Sequence, residues 1–249
     1  MMRCLTELET IRSFRKHLAT LDPKFKPIRD RWKDCLPPPD HVNRGSHALL
    51  TIMLTGGVSD VNVIPHLEPT VKGRGFDLSF QKIDSMPLIQ FCRIIRRCSI
   101  WAVNGIKIKK AARHILHNHG GKLPQDISSL MSIYGVGHKM ASLMIEATYG
   151  VNTAISVDRH VFRSMRVLKW VDVPNKSGQP EASLQAMQWV PQEQWMEVND
   201  LLGGLCQLIR QNRHEIIALA KLHGKGAYTV VSKIAGTTPG GRSPIGVSS

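Results

Sequence analysis

The sequence has no apolar run long enough to cross a membrane, because charge, Gly or Pro interrupts every one before the roughly 18 residues such a span needs. Residues 1–24 mix Arg3, Arg12 and Arg15 with Glu7 and Glu9 and lack the apolar core of a secretory signal, while a basic organellar leader stays open. Cysteine is sparse. Cys4, Cys35, Cys92, Cys98 and Cys206 are odd in number and scattered, with no C-x-x-C pair. Such a set fits reduced thiols in an intracellular protein and not a disulfide frame. Strand-like alternation is confined to residues 228–231, so an almost all-helical chain is expected, and no internal repeat is visible. One further absence points toward a partner. Between Asp84 and Asp126 there is no acidic residue, although Arg93, Arg96, Arg97, Lys107, Lys109, Lys110, Arg113 and Lys122 all fall there.

What is present is ordinary globular usage, 42% hydrophobic and 21% charged over 249 residues. That suffices for one large domain or two small ones around a shared cleft. Lys and Arg number 33 against 19 Asp and Glu, a formal charge of +14. The excess favours a polyanionic partner, nucleic acid first and anionic membrane second. The acid-free stretch is a candidate phosphate-contacting face, with Arg96, Arg97, Lys109 and Lys110 the expected DNA-binding side chains and a solvated helix surface the plain alternative. Helical spacing marks residues 5–21, 46–54, 87–98 and 108–117, with a Pro-rich connector over 23–39, a helix opened by Asp60 and a stop at Gly120-Gly121. Beyond Gly236 the composition is that of a flexible tail.

The chemistry concentrates in residues 130–163. Asp126 can cap a short helix over 127–133, and Gly135-Val136-Gly137 then forms a hairpin whose two glycines permit positive φ. A second helix starts near His138 with its free N–H groups facing out, an anion site able to hold a DNA phosphate without reading a base. Ala141, Leu143, Met144 and Ala147 pack behind it. Downstream, an apolar extended segment over 153–157 leads into a third helix with Val161, Met165 and Leu168 on its buried face and Asp158 at its N-cap, where helix dipole and amides stabilise a carboxylate. Taken singly, Asp158 is a plain cap and Lys139 a surface lysine. Their combination with the hairpin changes the odds.

Gly135-Val136-Gly137-His138-Lys139-Met140-Ala141 followed by Val157-Asp158-Arg159-His160-Val161-Phe162-Arg163 resembles the helix-hairpin-helix glycosylases of the endonuclease III type. The resemblance runs from about His47 to Trp170, supported by Leu54-Thr55-Gly56-Gly57-Val58-Ser59-Asp60 and Gly121-Lys122-Leu123-Pro124-Gln125-Asp126. It implies an all-α fold: a six-helix barrel domain carrying the hairpin, packed on a second helical domain built from N- and C-terminal segments, with DNA across the cleft. The expected division is 1–43 as helix and connector joining the C-terminal domain, 44–153 as barrel, 154–233 as C-terminal domain and 234–249 as tail. Lys139 matches the catalytic nucleophile and Asp158 the catalytic carboxylate, while Gly135, Val136, Gly137 and His138 match the DNA-binding hairpin. The implied activity is base-excision repair by a bifunctional glycosylase and abasic-site lyase on oxidised pyrimidines in double-stranded DNA. Such enzymes extrude the target base, whose glycosidic bond is out of reach within a duplex. A neutral Lys amine attacks C1′, and loss of a C2′ proton from the Schiff base then breaks the strand.

Three departures from the family pattern stand out. Only Cys206 lies downstream of the hairpin, so the four-cysteine iron–sulfur loop is absent and no cofactor is expected. Gly57 stands where the family often has Gln, a side chain that fills the gap left by the flipped base. For the wedge residue Ile106 is a guess set against a buried role. His114, His117 and His119 lack a nearby Cys or acid and read as a basic helix end before a zinc site, and Trp170, Trp189 and Trp195 read as core before base-stacking. The expectation is a monomer that binds damaged or abasic duplex, without membrane contact, in the nucleus if the cell is eukaryotic or in an organelle. Two alternatives stand beside it: a non-catalytic DNA-binding scaffold, and a monofunctional glycosylase that releases base without a nick.

Overall fold

The computed structural model describes residues 2–56, 58, 60–98, 100–174 and 178–237, and Gly57 falls outside them. Among the described residues every regular element is helical. The chain divides into two compact units, Ile28–Thr153 and the combination of residues up to Pro27 with those from Ala154 onward.

The chain opens with α1 (Met2–Leu21), whose inward face of Leu8, Ile11, Phe14 and Leu18 recurs every three or four residues, the period that puts side chains on one side of a helix. The Ile28–Thr153 unit follows. It holds α2 (Arg44–Thr55), α3 (Ile64–Gly73), α4 (Phe80–Ser85), α5 (Leu88–Ile95), α6 (Trp101–Asn118), the single turn α7 (Ile127–Met131) and α8 (His138–Tyr149). Nine consecutive residues of α2, Ser46 to Leu54, are buried, so α2 is the central helix with neighbours all round. Gly105 lets α5 and α6 close up, since a Cβ there would stand 2.6 Å from the Cys92 sulfur. Gly120 and Gly121 end α6 at φ +58° and +76°, the left-handed region in which Gly carries no Cβ penalty.

Two boundaries differ from the sequence expectation. The 3-10 segment Ile28–Cys35 belongs with the Ile28–Thr153 unit, where it packs on α3, so only the connector up to Pro27 joins the C-terminal domain. Cys35 at its end is wholly buried there. Asp60 begins a 3-10 turn, Asp60–Asn62, and α3 starts only at Ile64.

The other unit joins α1 to α9 (Arg159–Val167), α10 (Gln179–Met187), α11 (Trp195–His223) and α12 (Lys225–Thr237). Residues 201–208 and 214–222 lie on one element, α11, interrupted at the non-helical Asn212 (φ −138°, ψ 49°). The expected strand at Tyr228 is a correction: residues 225–237 form α12, with Ala227, Val230, Val231, Ile234 and Ala235 buried on one side. Alternating β-branched residues in a short run fit a helix face as well as a strand, and packing on α11 decides. The tail therefore does not begin at residue 234. Arg15 of α1 lies over the bare backbone of Gly204, its guanidinium donating to the Asp200 and Leu201 carbonyls. Trp170 is core, as expected. It meets Trp189 edge-on at 5.3 Å, and its indole N–H donates to Glu7 at 2.6 Å.

Candidate nucleic-acid site

The hairpin is assembled from its first cap. Asp126 accepts the Ser129 amide at 2.7 Å and the Ser128 hydroxyl at 2.6 Å, bonds that hold its carboxyl down at about 2. After α7 the chain turns with Gly135 at φ +87°. Gly137 is extended instead (φ −99°, ψ 173°), so only one of the two glycines uses the left-handed region. The Val136 side chain is buried beneath the turn, and Ala141 donates to the Gly137 carbonyl at 2.9 Å, the first bond of α8. The amides ahead of it, those of His138, Lys139 and Met140, have no carbonyl of their own helix to meet.

Two methionines fix this turn on the central helix. A Cβ at Gly135 would lie 3.7 Å from Met53 Cε, and one at Gly56 only 2.9 Å from Met140 Cε. Lys139, between His138 and Met140 in the first turn of α8, is partly exposed. At the far end of α8, Glu146 sits 3.7 Å from the Lys33 ammonium.

Asp158 belongs to the other unit and is built up separately. Ile155, Ser156 and Val157 are buried and extended, held by the Ser183 hydroxyl donating to Ile155 O at 2.7 Å and by the Asn199 amide donating to Ser156 O. The segment delivers Asp158 to the N-cap of α9, where one carboxylate oxygen accepts the His160 and Val161 amides at 2.8 and 2.9 Å. Behind it Ser164 Oγ and Cys206 Sγ are 3.0 Å apart, in the core between α9 and α11.

The expected phosphate contacts sort unequally. Arg96 and Arg97 are exposed beyond α5. Lys109 is a correction: its ammonium donates to the carbonyls of Ile83, Asp84 and Met86 at 2.6, 2.7 and 2.6 Å, closing the end of α4. Three donors meet three acceptors, which leaves none for a phosphate, and burial lowers its pKa. Lys110 is exposed with its ammonium 5.2 Å from the Tyr134 ring centre. Ile106, expected to be buried, is 45% exposed. Ile100 and Trp101 are not singled out by the sequence. Ile100 holds φ +50°, a conformation rare for a β-branched residue, and is half exposed beside the exposed Trp101. Strain and exposure together are tertiary facts, and no pattern in the sequence signals them.

No family model matches the chain. The endonuclease III-like protein 1 of Gallus gallus is 30% identical over 203 residues, covering 81% of this chain and 69% of that protein. The endonuclease III homolog of Schizosaccharomyces pombe is 27% identical over 178 residues, 72% of this chain, and the chain spans about half (49%) of its length. Among solved structures, a trapped endonuclease III–DNA covalent intermediate matches with a TM-score of 0.58 at 20% identity, over 82% of this chain and 86% of that one. At that identity the match speaks for the helix-hairpin-helix glycosylase fold alone. With the extended similarity to the Gallus gallus protein, the chain belongs to the endonuclease III family.

Proposed function

We propose that the protein is a base-excision-repair DNA glycosylase with abasic-site lyase activity on oxidised pyrimidines in duplex DNA. The observation that carries this is Lys139 in the first turn of α8, directly behind the left-handed Gly135 hairpin, in a chain of the endonuclease III family. In this assignment the hairpin over Gly135–His138 presents the free amides at the start of α8, those of His138, Lys139 and Met140, to a backbone phosphate. Neutral Lys139 Nζ attacks C1′ of the extruded nucleotide, and the base leaves with the electrons of the glycosidic bond and takes up a proton. The amine loses its proton as the sugar ring opens to the Schiff base. Loss of a C2′ proton then expels the 3′ phosphate, and water releases Lys139. Asp158 stabilises the cationic sugar and moves protons.

Ile100 and Trp101 are the side chains we assign to the gap left in the stack, in place of Ile106, since an exposed, strained apolar residue is the kind held at functional sites. Ile100→Ala is expected to slow base release from a paired lesion while sparing cleavage at a preformed abasic site. The same proposal includes no iron–sulfur cluster. Downstream of the hairpin the chain offers one thiol, Cys206, in contact with Ser164 in the helical core, where a cluster takes four.

The test is borohydride trapping on abasic and oxidised-pyrimidine duplexes. Wild-type protein should cross-link and nick, and Lys139→Gln should bind but do neither. Cross-linking by Lys139→Gln at the wild-type level would move the nucleophile to another amine. Tight binding by the wild type without trapping or cleavage would replace the enzyme by a scaffold.

A further inference from the structure

The three lysines of Lys107-Ile108-Lys109-Lys110 have different surroundings. Lys109 is spent on three carbonyls of its own unit. Lys107 instead runs its stem along the hairpin: its Cδ lies 3.5 Å and its Cγ 3.9 Å from where a Gly135 Cβ would be. Two bonds further on, its ammonium has no acid or carbonyl partner among the described residues. Lys110, one turn along α6, sets its ammonium 5.2 Å from the ring centre of Tyr134, the residue immediately before Gly135. No acidic residue occurs between Asp84 and Asp126, so nothing in that stretch neutralises the pair.

We infer that Lys107 and Lys110 bind the DNA backbone together with the hairpin, Lys107 as a cation beside the phosphate on the α8 amides and Lys110 on the neighbouring phosphate, steered by Tyr134. This rests on the assignment of the hairpin as a phosphate site. A side chain at Gly135 would strain the backbone at φ +87°, and its Cβ would stand in ordinary contact with the Lys107 stem, so the turn and the lysine are packed side by side. Lys107 is half-buried with its stem against the hairpin, so it loses less freedom on meeting a phosphate than a lysine on an open surface does.

The test is the salt dependence of binding to an undamaged duplex, with thermal melting to verify folding. Lys107→Met keeps the stem and removes the charge, so the slope of log affinity against log salt should fall by about one, and the same holds for Lys110→Met. Gly137→Asp tests the underlying assignment. Its Cβ meets open space, Asp is a favourable N-cap, and its charge would repel a phosphate there. Weakened binding by Gly137→Asp with reduced slopes for both lysine variants supports the inference. Weakened binding by Gly137→Asp with unchanged lysine slopes overturns the inference and leaves the hairpin site standing. Wild-type binding by Gly137→Asp removes the hairpin site, and the inference with it.

Discussion

Met140 rests its terminal methyl on the bare backbone of Gly56, so that the first turn of α8 and the end of α2 are in contact one residue from Lys139. Any side chain at Gly56 must displace that methyl, and its Cβ would also stand 3.3 Å from the Ile52 carbonyl oxygen, which cannot move aside as a side chain can. Gly56→Val is therefore expected to destabilise the fold by about 1–3 kcal/mol, the usual range for overpacking. It should slow trapping by Lys139 more than it weakens duplex binding. Adding Met140→Ala should restore part of both losses, a coupling readable from melting and single-turnover trapping of the double variant.

Asp158 caps α9, and in the proposed reaction it also stabilises the cationic sugar, two duties that substitution can separate. Asp158→Asn keeps an acceptor for the His160 and Val161 amides and removes the charge, so stability should change little while turnover falls by roughly 10² to 10³. Asp158→Ala loses the cap as well and should cost about a further 1 kcal/mol of stability. Equal turnover in Asp158→Asn and wild type would confine Asp158 to capping α9.

Lys109 and the two exposed arginines, Arg96 and Arg97, should behave oppositely. Lys109→Met strands three carbonyls at the end of α4, with an expected loss of about 1–3 kcal/mol in melting and an unchanged salt slope of DNA binding. Arg96→Ala with Arg97→Ala should leave the melting temperature alone and lower affinity for all duplexes alike. A reduced salt slope in folded Lys109→Met would return that lysine to the interface.

His47 gives the protein an acid limit. It is wholly buried on α2, edge-on to Phe76, and burial pushes its pKa down to about 4 from 6.5. The unfolded chain thus binds a proton at His47 that the folded chain refuses between about pH 6.5 and pH 4. Stability is full above that window and falls as pH drops through it, by an amount on the order of 3 kcal/mol. His47→Leu should flatten this part of the stability profile, measured by denaturant unfolding from pH 7 to pH 4. A profile identical to wild type would place the acid limit in other groups.

Local order comes from short-range chemistry, which is why the sequence alone makes it legible. Asp126 and Asp158 cap helices because a carboxylate accepts amide protons two or three residues on. Gly135 turns left-handed because only a residue without a Cβ does so at little cost, and the stripe Val161, Met165, Leu168 faces inward through the helical period alone. Whether a side chain is spent or available depends on contacts far along the chain. Lys109 and Lys107 are two residues apart and equally basic, yet the carbonyls of Ile83, Asp84 and Met86 claim one while the hairpin takes the stem of the other. The same holds for α12, which takes helical form on α11 where its alternation suggests a strand, and for Ile100, whose left-handed backbone and exposure no local pattern marks. Propensity acts within a few residues. Burial and satisfaction of polar groups are set by whatever the fold brings alongside, and that partner is not written next to the residue in the sequence.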